Sequence, residues 1–250
     1  MFKNERLTEI VNILKSSDGF VSVRELCKKL YASESSIRRD LGALEEKGIV
    51  ERSYGGASLI TNRSDVIPYS KRAYHDIESK KIIAKKAIKL IPDKGVIFLD
   101  QSSTAFYLAC EIPPRSNITV VTNNTAILNI MANTSVHTIS SGGSLSGRNR
   151  VCLLGNEACR TFESINADFS FFSVKSLSEN GILSDCDREE VAVRSSMISN
   201  SAVKVFLCGS EKLGSVSPYK QLTLAETSYL VCENNDALRF RRISSTLNIM

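Results

Sequence analysis

Ser33, Ser35, Ser36, Arg38 and Arg39 fall within the seven residues SESSIRR, placing three hydroxyls and two guanidinium groups at the start of one amphipathic run. In a major groove, arginine can be bidentate to guanine and serine can bond bases or phosphates. Arg24, Lys28 and Lys29 upstream and Arg52 downstream are candidates for phosphate contacts that would hold such a run in register, with Tyr54 beside Arg52 at a turn. A second polar set lies far along the chain, each group following an apolar run: Asp100-Gln101-Ser102-Ser103-Thr104, Thr122-Asn123-Asn124, Ser140-Ser141-Gly142-Gly143 and Glu211-Lys212. Hydroxyls and helix-start amides after Leu99 form an anion cradle, and Lys212 supplies the opposing positive charge. Any one of these groups is ordinary helix capping. Four of them at four strand ends indicate a binding site, with Asp100, Ser102, Ser103, Thr104, Thr122, Asn123, Gly142, Gly143 and Lys212 as its candidate residues.

The elements that position the first set follow from periodicity. Leu7, Ile10, Val11 and Leu14 mark a first helix, and Ser22 caps a second over Arg24 to Leu30. After the Tyr31-Ala32 turn, Ser33 caps a third, in which Ile37, Leu41 and Leu44 face inward and Lys47-Gly48 forms the stop. With those three inward, Ser35, Arg39, Gly42 and Glu46 fall outward, Arg38 on one flank and Ser36 and Asp40 on the other. Residues 49–54 alternate as a strand and Gly55-Gly56 supplies a turn, which completes a winged helix-turn-helix over residues 1–57. This segment holds ten Lys/Arg against nine Asp/Glu, so DNA binding would depend on where its charges sit.

Residues 58–66 turn polar and read as a linker. From Pro68 to Leu90, Ile77, Ile82, Ala84 and Ile88 mix with Lys71, Arg72, Lys80, Lys81, Lys85, Lys86 and Lys89, the pattern of a solvated helical face whose long side chains cover apolar surface. Beyond it, strands over 95–99, 118–121, 136–139, 168–174 and 203–207 are interleaved with helices over 104–110, 125–131 and 189–198. This succession predicts a larger, mainly parallel α/β domain over residues 67–250. Glu189-Glu190 read as acids in the first turn of a helix, favoured by its dipole.

Composition narrows the function. The 250 residues are 42% hydrophobic and 24% charged with a net charge of +5, which suits a soluble protein and permits nucleic acid. No run approaches the roughly 20 apolar residues of a membrane span, and MFKNERLTEI has no signal-peptide core, which points to the cytoplasm. Seven scattered cysteines without a C-x-x-C pair and two histidines, His75 and His137, without ligand spacing argue against a disulfide framework, a zinc ribbon and a metal centre. Asp100, Glu189 and Glu190 lack a partner histidine, so no acid/base pair for an enzyme stands out.

The stretch VSVRELCKKL followed by SSIRRDLGALEEKGIVERSYGGA resembles the N-terminal domain of DeoR-type bacterial transcriptional regulators. FLDQSSTAFYLA, VVTNN, SGG and GNEA are similar to that family's sugar-phosphate-sensing domain, which is related in fold to ribose-5-phosphate isomerase, glucosamine-6-phosphate deaminase and CoA transferases. The resemblance implies a DNA-binding regulator without cofactor, a repressor of a carbohydrate-metabolism operon. A phosphorylated sugar or related metabolite would release it, as a homodimer or homotetramer, from double-stranded operator DNA. Three departures bear on the effector: Ser102 stands where the family has glycine, Gly209 where it has aspartate, and Glu211 adds a negative charge beside Lys212. The segment from Phe172 to Ser176 also lacks the usual glycines. Two other readings of the α/β domain stay open, an oligomerisation scaffold and an isomerase-like enzyme.

Overall fold

The computed structural model describes residues 3–16, 21–46, 49–53, 55–59 and 69–250. The chain divides into two compact units, Met1–Asn62 and Arg63–Met250.

The first unit contains α1 (Lys3–Ser16), β1 (Val21–Ser22), α2 (Val23–Leu30), α3 (Glu34–Glu46), β2 (Val50–Ser53) and β3 (Gly56–Leu59). Ile10, Leu14, Leu26, Ile37, Leu41, Leu44 and Val50 close on one another as its core, so the helical periodicity is met by burial. Ser22 Oγ accepts from the Glu25 amide at 3.2 Å, the expected cap of α2. Tyr31, 96% exposed, ends that helix in the left-handed region at φ 50°. The strands pair antiparallel in the order β1-β3-β2, and Gly55 turns between β2 and β3 at φ 87°. Because Val50 pairs with Leu59, the wing strand runs on through Ser58 and Leu59, into the expected linker. The expected stop at Lys47-Gly48, residues 60–66 of the linker, and Tyr54 lie outside the described residues.

The second unit opens with α4 (Tyr69–Tyr74) and α5 (Ile77–Ala87). A single solvated face over this stretch was the expectation, but Asp76 at φ 47° breaks it in two. There follow β4 (Lys94–Leu99), α6 (Ser103–Glu111), β5 (Asn117–Thr122), α7 (Thr125–Met131), β6 (His137–Ser140), β7 (Ser144–Leu145), β8 (Leu153–Leu154) and α8 (Asn156–Glu163). The rest comprises β9 (Ala167–Phe172), β10 (Ser176–Leu177), β11 (Ile182–Asp185), α9 (Arg188–Ser199), β12 (Ser201–Cys208), β13 (Tyr219–Thr223), β14 (Tyr229–Cys232) and β15 (Asn248–Ile249).

The main sheet has seven parallel strands in the order β15-β14-β12-β9-β4-β5-β6, the predicted α/β architecture. Alternate residues serve opposite faces: Phe98, Val121, Phe172 and Phe206 enter one core, while Ile97, Leu99, Val120, Phe171 and Leu207 enter the other. An antiparallel sheet, β10-β11-β13, was not anticipated, nor were α8 and the outer strands β14 and β15. With the strands parallel, the segments after β4, β5, β9 and β12 all emerge at one end of the sheet.

Candidate functional site

In the first unit, the start of α3 carries the clustered hydroxyls. Ser33 Oγ lies 3.1 Å from Ser35 Oγ and 2.9 Å from Ser36 Oγ, and it accepts the Ser36 amide at 3.3 Å. Arg38 and Arg39 are both exposed, but Arg38 is held by Glu34 at 3.3 Å. Among the described residues, Arg24, Lys28 and Arg39 are exposed cations outside any ion pair, whereas Lys29 pairs with Glu25 at 2.9 Å. Arg52 does not sit at the wing tip; its guanidinium runs past Gly42 to lie 3.6 Å from Glu45, drawn by the acid at the far end of α3. Asp40, expected on a flank, is buried and pairs with Arg6 of α1 at 2.5 Å, so it ties two helices together.

In the second unit, the polar groups after the strands form a connected floor. Asp100 is fully enclosed, and its carboxylate accepts from the Ser102 amide at 3.0 Å, the Ser173 amide at 3.1 Å and Arg194 Nε at 3.0 Å. It therefore holds the loops after β4 and β9, and its carboxylate is engaged by the protein's own donors. Arg194 also meets Asp185 at 3.1 Å and Glu190 at 3.8 Å. Burial works against its charge, but these acids outweigh burial and raise its pKa further. Glu190 lies in the first turn of α9 as expected, yet it is buried in this network, and the cap of that helix is Asp187.

Several candidates are likewise spent on the loops themselves. Ser102 Oγ caps α6 through the Ala105 amide at 3.0 Å, and Thr122 Oγ1 accepts the Asn124 amide at 3.1 Å. Ser102 sits at φ −74°, so its position makes no demand for the family's glycine. Ser103 and Thr104 lie buried in the first turn of α6. Gly142 and Gly143 both have positive φ; a Cβ on Gly143 would stand 2.3 Å from the Leu154 carbonyl, so this turn is fixed against β8. It abuts β5, since the Ser141 amide donates to the Thr122 carbonyl at 2.9 Å.

What the floor leaves open is more informative. Asn123 Nδ2 donates to Gln101 Oε1 and to the Leu153 carbonyl, both at 3.2 Å, and Asn149 Nδ2 donates to Glu190 Oε1 at 2.8 Å. These donations fix both amides and leave Asn123 Oδ1 and Asn149 Oδ1 buried without a donor. On α4, Arg72 Nε and Nη2 and the Tyr69 hydroxyl are also buried and unpartnered. Tyr69 faces Asn124 without completing a hydrogen bond, and burial pushes its pKa up to about 12. Among the described residues, these five are the buried side-chain N and O atoms without a hydrogen-bond partner.

Positive charge gathers beside them. Lys80, expected on a solvated face, is buried and donates to the Arg72 carbonyl at 2.6 Å and to the His75 carbonyl. Burial, then repulsion from Lys212, lowers its pKa to about 8. Lys212 itself donates to Ser173 Oγ at 2.6 Å. Glu211, the added acid, folds back: its carboxylate stands 2.1 Å from where a Cβ on Gly209 would be, and it favours the charged form of Lys80. Tyr69, Arg72, Lys80, Asn149 and Arg194 were missed or misread in the sequence. For Arg72 and Lys80 the lysine-rich stretch carries no local mark of which side chain turns inward.

Family models match both units, a DeoR-like helix-turn-helix domain over residues 6–63 and a DeoR C terminal sensor domain over residues 75–234. The chain belongs to the DeoR family. It is thus a DNA-binding transcriptional regulator with an effector-sensing domain, and not an enzyme. Similar DeoR-family proteins include the HTH-type transcriptional regulator GolR of Listeria innocua, 32% identical over 94% of this chain and 92% of that one. The HTH-type transcriptional repressor GlcR of Bacillus subtilis is 30% identical over 93% and 89%, and the glycerol-3-phosphate regulon repressor of Escherichia coli 28% over 86% and 84%. Among solved structures, a ribose 5-phosphate isomerase from Methanocaldococcus jannaschii covers 55% of each chain at 17% identity and a TM-score of 0.42. No helix among the described residues is long and apolar enough to cross a membrane.

Proposed function

We propose that this DeoR-family regulator represses a carbohydrate-metabolism operon and is released from its operator by a phosphorylated sugar or related metabolite bound among the polar side chains of the second unit. One observation carries this reading: the unpartnered atoms sort by chemistry. Arg72, beside Lys80 and Lys212, offers cationic donors that suit a phosphate, whereas Asn123 Oδ1 and Asn149 Oδ1 are acceptors that suit ligand hydroxyls. A phosphate ester of a polyhydroxy compound satisfies both ends. Relatives named as a glycerol-3-phosphate regulon repressor and a transcriptional repressor point the same way.

On the DNA side, Arg39 with Ser33, Ser35, Ser36 and Arg38 would read bases, and Arg24, Lys28, Arg52 and Tyr54 would contact phosphates. Paired reading heads in a homodimer or homotetramer would raise the effective concentration of the second half-site, in the cytoplasm. Ligand and DNA would then be linked through their differential affinity for two arrangements of the oligomer.

The test is fluorescence anisotropy on DNA from upstream of the protein's own gene, titrated with sugar phosphates at fixed salt. Tight binding reversed by one compound supports the proposal. Tight binding indifferent to every compound overturns the ligand and leaves the α/β unit as a scaffold, and absence of specific binding overturns the operator assignment.

A further inference from the structure

Helix α4 is the first described element after β3, with residues 60–68 between them in the sequence. Side chains of α5 and α6 hydrogen-bond to its carbonyls and to the residue after it. Tyr107 Oη donates to the Ala73 carbonyl at 2.9 Å, and Lys80 grips the carbonyls of Arg72 and His75. Beyond Asp76, whose left-handed backbone breaks the helix, α5 takes a separate course. What α4 brings inward is unsatisfied: Arg72 has the Tyr69 ring at 5.9 Å and no hydrogen-bond partner for its buried Nε and Nη2.

Guanidinium N–H groups buried without partners, as Nε and Nη2 of this half-buried side chain are, are costly unless something arrives to meet them. Both of its orphaned N–H groups lie on one edge of the fork, the geometry that takes two oxygens of a phosphate side by side. The same helix is covalently continuous, through residues 60–68, with the wing strand of the DNA-binding unit. A group that pins Arg72 therefore acts at the start of the second unit's described chain, next in sequence to the link.

Resting on the ligand assignment made above, we propose that α4 is the moving half of the ligand site: Arg72, with Tyr69, clamps the ligand's anionic group against Lys212, and this docking of α4 is the step that the chain transmits toward its DNA-binding unit. The floor built on Asp100 stays as it is. The clamp gives α4 two states, with and without the ligand on Arg72, and the ligand favours the first.

The experiment uses the full chain with inorganic phosphate and glucose 6-phosphate as probes, read by thermal melting and by amide hydrogen exchange resolved to residues 69–75. In the wild type, either probe should raise the melting temperature and slow exchange across 69–75. Arg72→Met should lose that slowing and weaken probe binding roughly tenfold or more, the loss of charged hydrogen bonds, while its ligand-free melting temperature equals or exceeds that of the wild type. Arg72→Lys, which keeps charge without the fork, should fall between. Should both probes protect residues 101–104 and 210–212 yet leave 69–75 unchanged, with Arg72→Met binding as the wild type does, the clamp is overturned and the ligand assignment stands. No response of the wild type to either probe overturns the ligand assignment and the clamp with it. If Arg72→Met proves less stable than the wild type without ligand, its guanidinium is structural and the proposal fails.

Discussion

Arg194 and Arg72 both reach into the interior of the second unit at the carboxyl end of its sheet, and they meet opposite company. Arg194, 2% exposed, is surrounded by Asp100, Asp185 and Glu190, with Gln221 Oε1 accepting from it at 2.9 Å. Arg72 meets an aromatic ring and has orphaned N–H groups. The contrast separates two uses of a buried charge. A saturated guanidinium has no donor left for a ligand and can only hold structure, whereas an unsaturated one is poised to receive an anion.

The largest effect should come from breaking the saturated side. Arg194→Met leaves three carboxylates in the interior without their cation, and we expect a loss of about 3–5 kcal/mol in urea denaturation. A loss under about 1 kcal/mol would mean that those acids find protons or water readily, and the contrast with Arg72 would weaken.

Next comes the pair of neighbouring arginines on α3, which repeats the contrast on the surface. Arg39→Ala should weaken operator binding by about 1–3 kcal/mol in anisotropy titrations without changing the melting temperature. Arg38→Ala, removing a side chain already paired with Glu34, should cost less. Equal losses would show that the Glu34 pair does not persist on DNA.

Lys212→Ala sharpens the second unit. It should spare operator affinity and abolish release by sugar phosphate, measured in the same titration.

The smallest effect is a pH dependence. Lys80 titrates near 8 in the folded chain against 10.5 for the free group, so between those values the unfolded chain binds more protons. Its contribution to stability therefore rises with pH across that window and is flat below it. Anion affinity should move the other way, falling as pH rises through 8, with proton uptake on binding detectable by calorimetry in buffers of different ionisation enthalpy. Both dependences should vanish in Lys80→Met.

The sequence carried the architecture because its patterns are strong. Ile37, Leu41 and Leu44 declare a helical face, and the runs ending at Leu99, Val121 and Leu207 declare buried strands. The strand-end loops were also legible, since the polar run starting at Asp100 breaks the apolar strand that ends at Leu99 before α6 begins at Ser103. Their individual tasks were not, because a carboxylate that binds a ligand and one that binds Arg194 look alike until the residue 94 positions away is brought beside it. Lys80 was misread for a related reason. In a lysine-rich stretch nothing local distinguishes the side chain that turns inward, and only the break at Asp76 supplies the carbonyls that hold it.

The Asp100 network has a kinetic consequence. Its carboxylate joins the loops after β4 and β9 to α9, so the floor of the site is assembled before any ligand arrives. Binding energy is then not dissipated in ordering those loops, and little conformational entropy is lost there. Association should be governed by how often the entrance is open, so that its rate reports on the first helix of the unit and its salt dependence on the lysines behind it.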